Sequence, residues 1–306
     1  MNTIRATPVT HRATSPLRIV ANWPQLPPHI RLERVTGVAV DSRGLVYVAH
    51  RGENPLLCFD ADGRLLREVG ADVQRQSVAE NLMGPVPIPM ETRHWLHGLH
   101  VDPWDNVWVT DVGRHLVFKF DPAGRLVMTM GEDGRHGCSD RLFYQPTHAC
   151  VVPSGDIFVA DGYGNSRVVK FNARGEQLLE WGRRGIAPGE FHTPHVITCG
   201  RDGLLYVGDR ENDRVQVFDQ MGRLQAEWPG LHSVDGLHAA ADGKVYGAAG
   251  LDNAVIEYDP QGRPAQVWAE PGVFRYPHGI AVDPAGNIYT AEISGNRVLK
   301  LRRDSV

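Results

Sequence analysis

The stretch GLHVDPWDNVWVTD, residues 98–111, decides the fold because it is one of six copies of a single pattern. GVAVDSRGLVYVAH (37–50), ACVVPSGDIFVAD (149–161), VITCGRDGLLYVGD (196–209), GLHAAADGKVYGAA (236–249) and GIAVDPAGNIYTAE (279–292) repeat it. Each copy opens with an apolar strand, turns through residues rich in Asp, Gly, Pro or Asn, and continues into a second strand of alternating apolar residues. Segments of RVxxF and GRLxxxxG type follow and read as third and fourth strands. Four short strands per unit, with units spaced by about 40 to about 60 residues, describe a propeller blade. The expected fold is therefore all-β, a six-bladed β-propeller of four-stranded blades. The last unit ends near Leu301 without a convincing fourth strand, and LRIVANW (17–23) is expected to supply it, closing the ring and removing an exposed edge. This reading places a flexible tail at 1–16 and one propeller domain over 17–306, with an insertion around 71–95 expected to roof the channel mouth.

The totals agree with one large all-β domain. The chain has 306 residues, enough to bury a substantial core. Its formal charge of −4 is spread evenly, and no basic run or basic–aromatic patch points to nucleic acid. No window approaches the roughly 18 apolar residues of a membrane span, and no apolar signal core opens the chain. The first 32 residues lack Asp and Glu and carry Arg5, Arg12, Arg18 and Arg31, as transit peptides do. Five prolines in the same stretch argue against an amphipathic targeting helix, so a tail is expected instead. Cys58, Cys138, Cys150 and Cys199 show no CxxC spacing and read as thiols in a reducing, cytoplasmic setting.

Aligning the units on their first strand puts Thr36, His97, Thr147, His195, Asp235 and His278 at one position. Histidine occupies units two, four and six. In a six-bladed ring the first strands line the central channel, so alternate blades aim three imidazoles at one spot on the axis. Three protein donors leave an open coordination position, the arrangement of a catalytic zinc site. Copper, iron and nickel accept the same ligand type. His94, His100 and His148 fall outside the column and are expected at the surface or behind the ligands.

Three polar groups stand at channel-facing ends of second strands: Arg51 in VAHRGEN, Tyr163 in VADGYGNSRV and Arg210 in VGDRENDRVQVF. A guanidinium grips a carboxylate with parallel hydrogen bonds, so the two arginines suggest a small anionic substrate bearing a carboxylate. A phenol beside a cation and two arginines is expected to lose its proton more readily, which makes Tyr163 a candidate general base.

The segments HRG, LHGL, WVTDV, HLVFKFDP, QPT, DGYGNSRV, DREN and PHGI, spread over roughly residues 36–301, resemble the catalytic core of peptidyl-α-hydroxyglycine α-amidating lyase, a six-bladed propeller of NHL type. The resemblance implies that His97, His195 and His278 bind zinc, that Tyr163 is the base, and that Arg51 and Arg210 serve the substrate. It implies a separate oxygenase that supplies the hydroxylated substrate. Family members pair cysteines where this chain has Tyr144, Gly164, Tyr206 and Val217. They also hold a structural calcium through an Asp after the third histidine and two carbonyls, which correspond here to those of Val38 and Leu99. That Asp is Gly279 in this chain, so calcium is expected to be weak or missing.

The expected activity is cleavage of an N-acyl-α-hydroxyglycine, or a related carbinolamide acid, to an amide and glyoxylate. Two alternatives stand beside it. One is a non-enzymatic NHL-repeat propeller that binds a protein or ligand. The other is a metal-dependent lactone or ester hydrolase, for which only Asp235 offers a carboxylate in the column.

Overall fold

A computed structural model describes residues 16–70, 94–229 and 232–303. The tail at 1–15, most of the 71–95 insertion with its expected roofing role, and residues 304–306 lie outside the described residues. Six four-stranded antiparallel sheets are arranged in a ring as the blades of a propeller. Five blades are built from consecutive strands, and the sixth takes its outermost strand from Leu17–Ile19, which pairs antiparallel with Arg297–Arg303. The expected closure by the N-terminal segment is therefore found, and Val20 extends it by donating to Lys300 O at 2.8 Å.

The inner strands read as continuous apolar runs because each is packed on both faces by neighbouring blades. Val46–Ala49, Val107–Asp111, Ile157–Asp161 and Leu205–Asp209 are buried along their whole length. The outer strands Leu65–Glu68 and Leu126–Met130 alternate between half-buried and exposed positions instead. Core side chains gather between blades. Val38, Val48 and Phe59 of blade one pack with Tyr289, Ala291 and Val298 of blade six, and Trp23 wedges between them. Its ring lies 5.1 Å from Tyr289 and 6.0 Å from Phe59, and its Nε1 donates to Ala61 O at 3.2 Å.

The turn between the first two strands explains the recurring Asp-x-x-Gly. Asp41 Oδ1 accepts from the backbone N–H of Arg43 and Leu45 at 3.0 and 2.8 Å, while Gly44 takes the left-handed φ of +81° that the turn needs. Asp102 repeats the device with Trp104 and Asn106. Among the described residues no helix is long and apolar enough to cross a membrane.

Candidate active site

Four of the six column residues sit where the sheet slips register. The pairing of first and second strands shifts between Leu96 and Leu99, Pro194 and Val196, Val234 and Gly236, and Pro277 and Gly279. A bulge frees a residue from the ladder and re-aims its side chain. His97, His195, Asp235 and His278 occupy these slips. Blades one and three carry threonine instead. The Thr36 hydroxyl donates to Leu96 O at 3.0 Å and that of Thr147 to Pro194 O at 2.7 Å, each tying its blade to the next. Glycine follows the column in blades one, two, five and six because the strands approach closely there. A Cβ on Gly98 would lie 2.4 Å from Thr147 O.

That approach sets the imidazoles. His97 Nδ1 lies 2.7 Å from Thr147 O, His195 Nδ1 2.9 Å from Asp235 O, and His278 Nδ1 2.7 Å from Thr36 O. A carbonyl only accepts, so each Nδ1 carries the proton and each Nε2 keeps its lone pair. The three residues are buried, and their donor atoms lie within 4.8 Å of one another. Burial holds His97 and His195 well below the ordinary histidine range, with neighbouring imidazoles and the Arg51 and Arg210 charges adding to it, and pushes His278 down to about 3. Neutral imidazoles with a fixed tautomer and convergent Nε2 atoms fit a divalent transition-metal ion.

Tyr163 reaches the same point. Its Oη lies 2.9 Å from His97 Nε2, 3.0 Å from His195 Nε2 and 3.3 Å from Arg210 Nη1. Burial raises its pKa, and the opposing pull of Arg210 and Arg51 does not cancel that. The two guanidinium charges alone do not offset desolvation of a phenolate, so an easily lost proton at Tyr163 needs the further charge of a cation held by the imidazoles.

The two arginines differ. Arg210 is tied, since Nε and Nη2 donate to Glu211 Oε1 at 2.9 and 2.5 Å and Nη1 stands 3.5 Å from Asp235 Oδ1. Burial disfavours the Arg210 charge, but Tyr163, Glu211 and Asp235 outweigh it and raise its pKa. Asp235 is itself anchored by Ser233 Oγ and Gly250 N, at 2.6 and 3.1 Å from Oδ2. Arg51 has no such partner. Its guanidinium lies 3.7 Å over the Trp95 ring, and its Nε is buried without a hydrogen bond among the described residues.

The sequence reading missed Trp95, Glu211, Ser233 and also Tyr276, whose Oη lies 3.5 Å from Ser233 Oγ. Trp95, Ser233 and Tyr276 each stand two residues before a column residue, so aligning that second column would have found them. His100 and His148 do not lie on the outside. Together with His238 they border a cavity of about 180 Å³ on the axis beneath the triad. Val38, Leu99 and Gly279 border it as well, and Gly279 brings no side-chain oxygen. Its Cα is packed so close that a Cβ would meet Thr36 O at 2.9 Å, so the residues present do not assemble the carboxylate site a calcium ion prefers.

At the positions where the family pairs cysteines, direct packing takes their place. A Cβ on Gly164 would fall 2.3 Å from the Tyr144 ring, and Tyr206 stands opposite Val217 in the ladder. All four cysteines are free.

The NHL repeat model matches residues 143–171 and 274–301. The chain is 32% identical over 317 residues to peptidyl-alpha-hydroxyglycine alpha-amidating lyase 1 of Drosophila melanogaster, covering 91% of this chain and 58% of that protein. It is 31% identical to lyase 2 of the same fly, covering 91% and 72%. NHL repeat-containing protein 3 of Homo sapiens is also 31% identical, with 92% and 83% covered. Among solved structures, a streptogramin B lyase superposes with a TM-score of 0.62 at 17% identity, covering 90% of this chain and 95% of that one, which shows a shared fold.

Proposed function

The chain belongs to the NHL-repeat propeller family that includes the peptidyl-α-hydroxyglycine α-amidating lyases, and on that premise we propose that it cleaves an N-acyl-α-hydroxyglycine, or a related carbinolamide acid, to an amide and glyoxylate. The observation that carries the reading is the meeting of Tyr163 Oη with the Nε2 atoms of His97 and His195, at 2.9 and 3.0 Å.

Breaking the C–N bond of such a substrate converts its hydroxyl-bearing carbon to an aldehyde. The hydroxyl loses a proton and the departing amide nitrogen gains one, so the reaction is neutral overall. A divalent ion, zinc above all, held by Nε2 of His97, His195 and His278 would supply Lewis acidity at the substrate hydroxyl. Tyr163 takes the hydroxyl proton and returns it to the departing nitrogen, its phenolate favoured by Arg210 Nη1, 3.3 Å from its oxygen, together with the charge of an ion held by the imidazoles. Arg51 receives the substrate carboxylate, because it is a buried cation with no ion-pair partner among the described residues. The acid it binds is supplied by a separate oxygenase that hydroxylates the glycine α-carbon.

The test combines metal analysis of the purified protein with glyoxylate release from α-hydroxyhippurate. About one equivalent of zinc and steady glyoxylate release are expected. A second reading, a propeller that binds without turnover, draws on the relative named for its repeats alone. Full metal content with no glyoxylate from either a peptide or a small acyl substrate would select it.

A further inference from the structure

Two buried donors without acceptors lie against each other on the wall of the site. Trp95 is 3% exposed and Arg51 6%, and neither Trp95 Nε1 nor Arg51 Nε has a hydrogen-bond partner among the described residues. Trp95 leads into the first strand of blade two, held where Val112 N donates to Trp95 O at 3.1 Å, and its side chain packs with Val112 and Tyr163. Arg51 follows the second strand of blade one, with its guanidinium carbon over the indole, 3.7 Å from the ring centroid. The charges that act on it are Tyr163, Arg34 and Asp111. Asp111 Oδ1 is occupied by the backbone N–H groups of Gly113 and Arg114, and Arg34 only repels. Buried donors are satisfied as a rule, and a buried cation is costly unless it is paired. A pair of orphans in contact, beside Tyr163, marks a place that a ligand fills.

We propose that Trp95 determines substrate specificity, forming with Arg51 a seat for the substrate's planar carboxylate. The proposal rests on the lyase reading above and deepens it. The indole covers one face of the guanidinium, so an anion reaches it along its edge, where parallel N–H groups match the two oxygens of a carboxylate. The indole N–H adds a donor that an ester or amide, lacking negative charge, uses poorly. Trp95 also fixes the plane of Arg51, so the fork is oriented before the ligand arrives. The seat therefore selects free α-hydroxy acids and rejects their esters and amides.

The experiment titrates the intact protein with hippurate, which has the acyl group and carboxylate but no hydroxyl to react, and with methyl hippurate. Wild type is expected to bind the ester at least about 100-fold more weakly than the acid, as loss of charge-assisted hydrogen bonds implies. Trp95→Phe keeps an aromatic face and loses the N–H, so hippurate binding should weaken about 10-fold while the protein stays folded and keeps its wild-type metal content. Trp95→Leu, which also frees the Arg51 plane, should weaken it further. Hippurate binding within twofold of wild type in Trp95→Phe, alongside loss of binding in Arg51→Lys, would overturn the role of Trp95 and leave the carboxylate site standing. Equal binding of acid and ester by wild type would overturn the carboxylate reading itself.

Discussion

Tyr163, Arg210 and Arg51 are separated by their partners more than by their positions. Tyr163 Oη is within hydrogen-bond reach of two imidazoles and a guanidinium, so Tyr163→Phe removes one oxygen and little packing. Turnover of α-hydroxyhippurate should fall roughly 10²–10⁴-fold, the usual contribution of a general base, with metal content unchanged. Near-normal turnover would rule Tyr163 out as the base. Arg210 is tied to Glu211 and Asp235 and faces Tyr163, whereas Arg51 has no ion-pair partner among the described residues. Arg51→Lys is therefore expected to raise KM by roughly 10-fold or more through loss of the planar fork, and Arg210→Lys to lower kcat more than it raises KM. Identical effects in the two variants would contradict this division. His97→Ala, His195→Ala and His278→Ala should each lower both metal content and turnover, while His148→Ala, outside the triad, should leave metal content at the wild-type level.

Single strands and turns place these side chains. The register slips of blades two, four, five and six turn four column residues into the channel, and the threonines of blades one and three hold adjacent first strands together. Ring closure depends on a three-residue strand, Leu17–Ile19, which is too short to hold by its ladder alone. Trp23, 7% exposed, anchors the segment between blades one and six. Gly63, at a φ of +91°, has its Cα so near the indole that a Cβ would lie 2.6 Å from it. Trp23→Ala should cost about 3–5 kcal/mol, the range for a deleted core aromatic. Denaturant unfolding would show the midpoint falling, and an unchanged midpoint would mean that the ring closes without this wedge.

Over the whole molecule, buried imidazoles make stability depend on pH. Burial pushes His50, His100 and His238 down to about 4 and His148 to about 3, from an ordinary 6.5. Each folded value lies below the unfolded one, so the unfolded chain takes the proton first. The contribution is whole above about pH 6.5 and is lost as the pH falls toward 4. Each group costs at most about 1.4 kcal/mol per pH unit in that window. Asp111 and Asp235, raised to about 6 by burial, act in the opposite sense below that pH. Burial lowers His97, His115, His195 and His278 as well and raises Asp161, so among the described residues eight imidazoles stand against three carboxyls and the net is a loss. The melting temperature should therefore drop by several degrees between pH 7 and pH 5, and a flat profile would show that these histidines protonate freely in the folded protein.

By itself the sequence determined the six repeats, the propeller, the closing N-terminal strand and the column holding His97, His195 and His278. These are properties of short-range alternation and of equivalent positions in a repeat, and both are written along the chain. Only the tertiary structure decided which ring nitrogen each histidine presents, because the carbonyls that fix it belong to Thr36, Thr147 and Asp235 of the next blade. It also decided that Arg210 stands against Asp235 and Tyr163 while Arg51 Nε has no hydrogen-bond partner among the described residues, that His148 borders the axial cavity, and that burial opposes the two guanidinium charges at Tyr163. Hydrogen-bond partners and desolvation come from residues dozens of positions apart that meet only when the ring closes, so no window of sequence contains them.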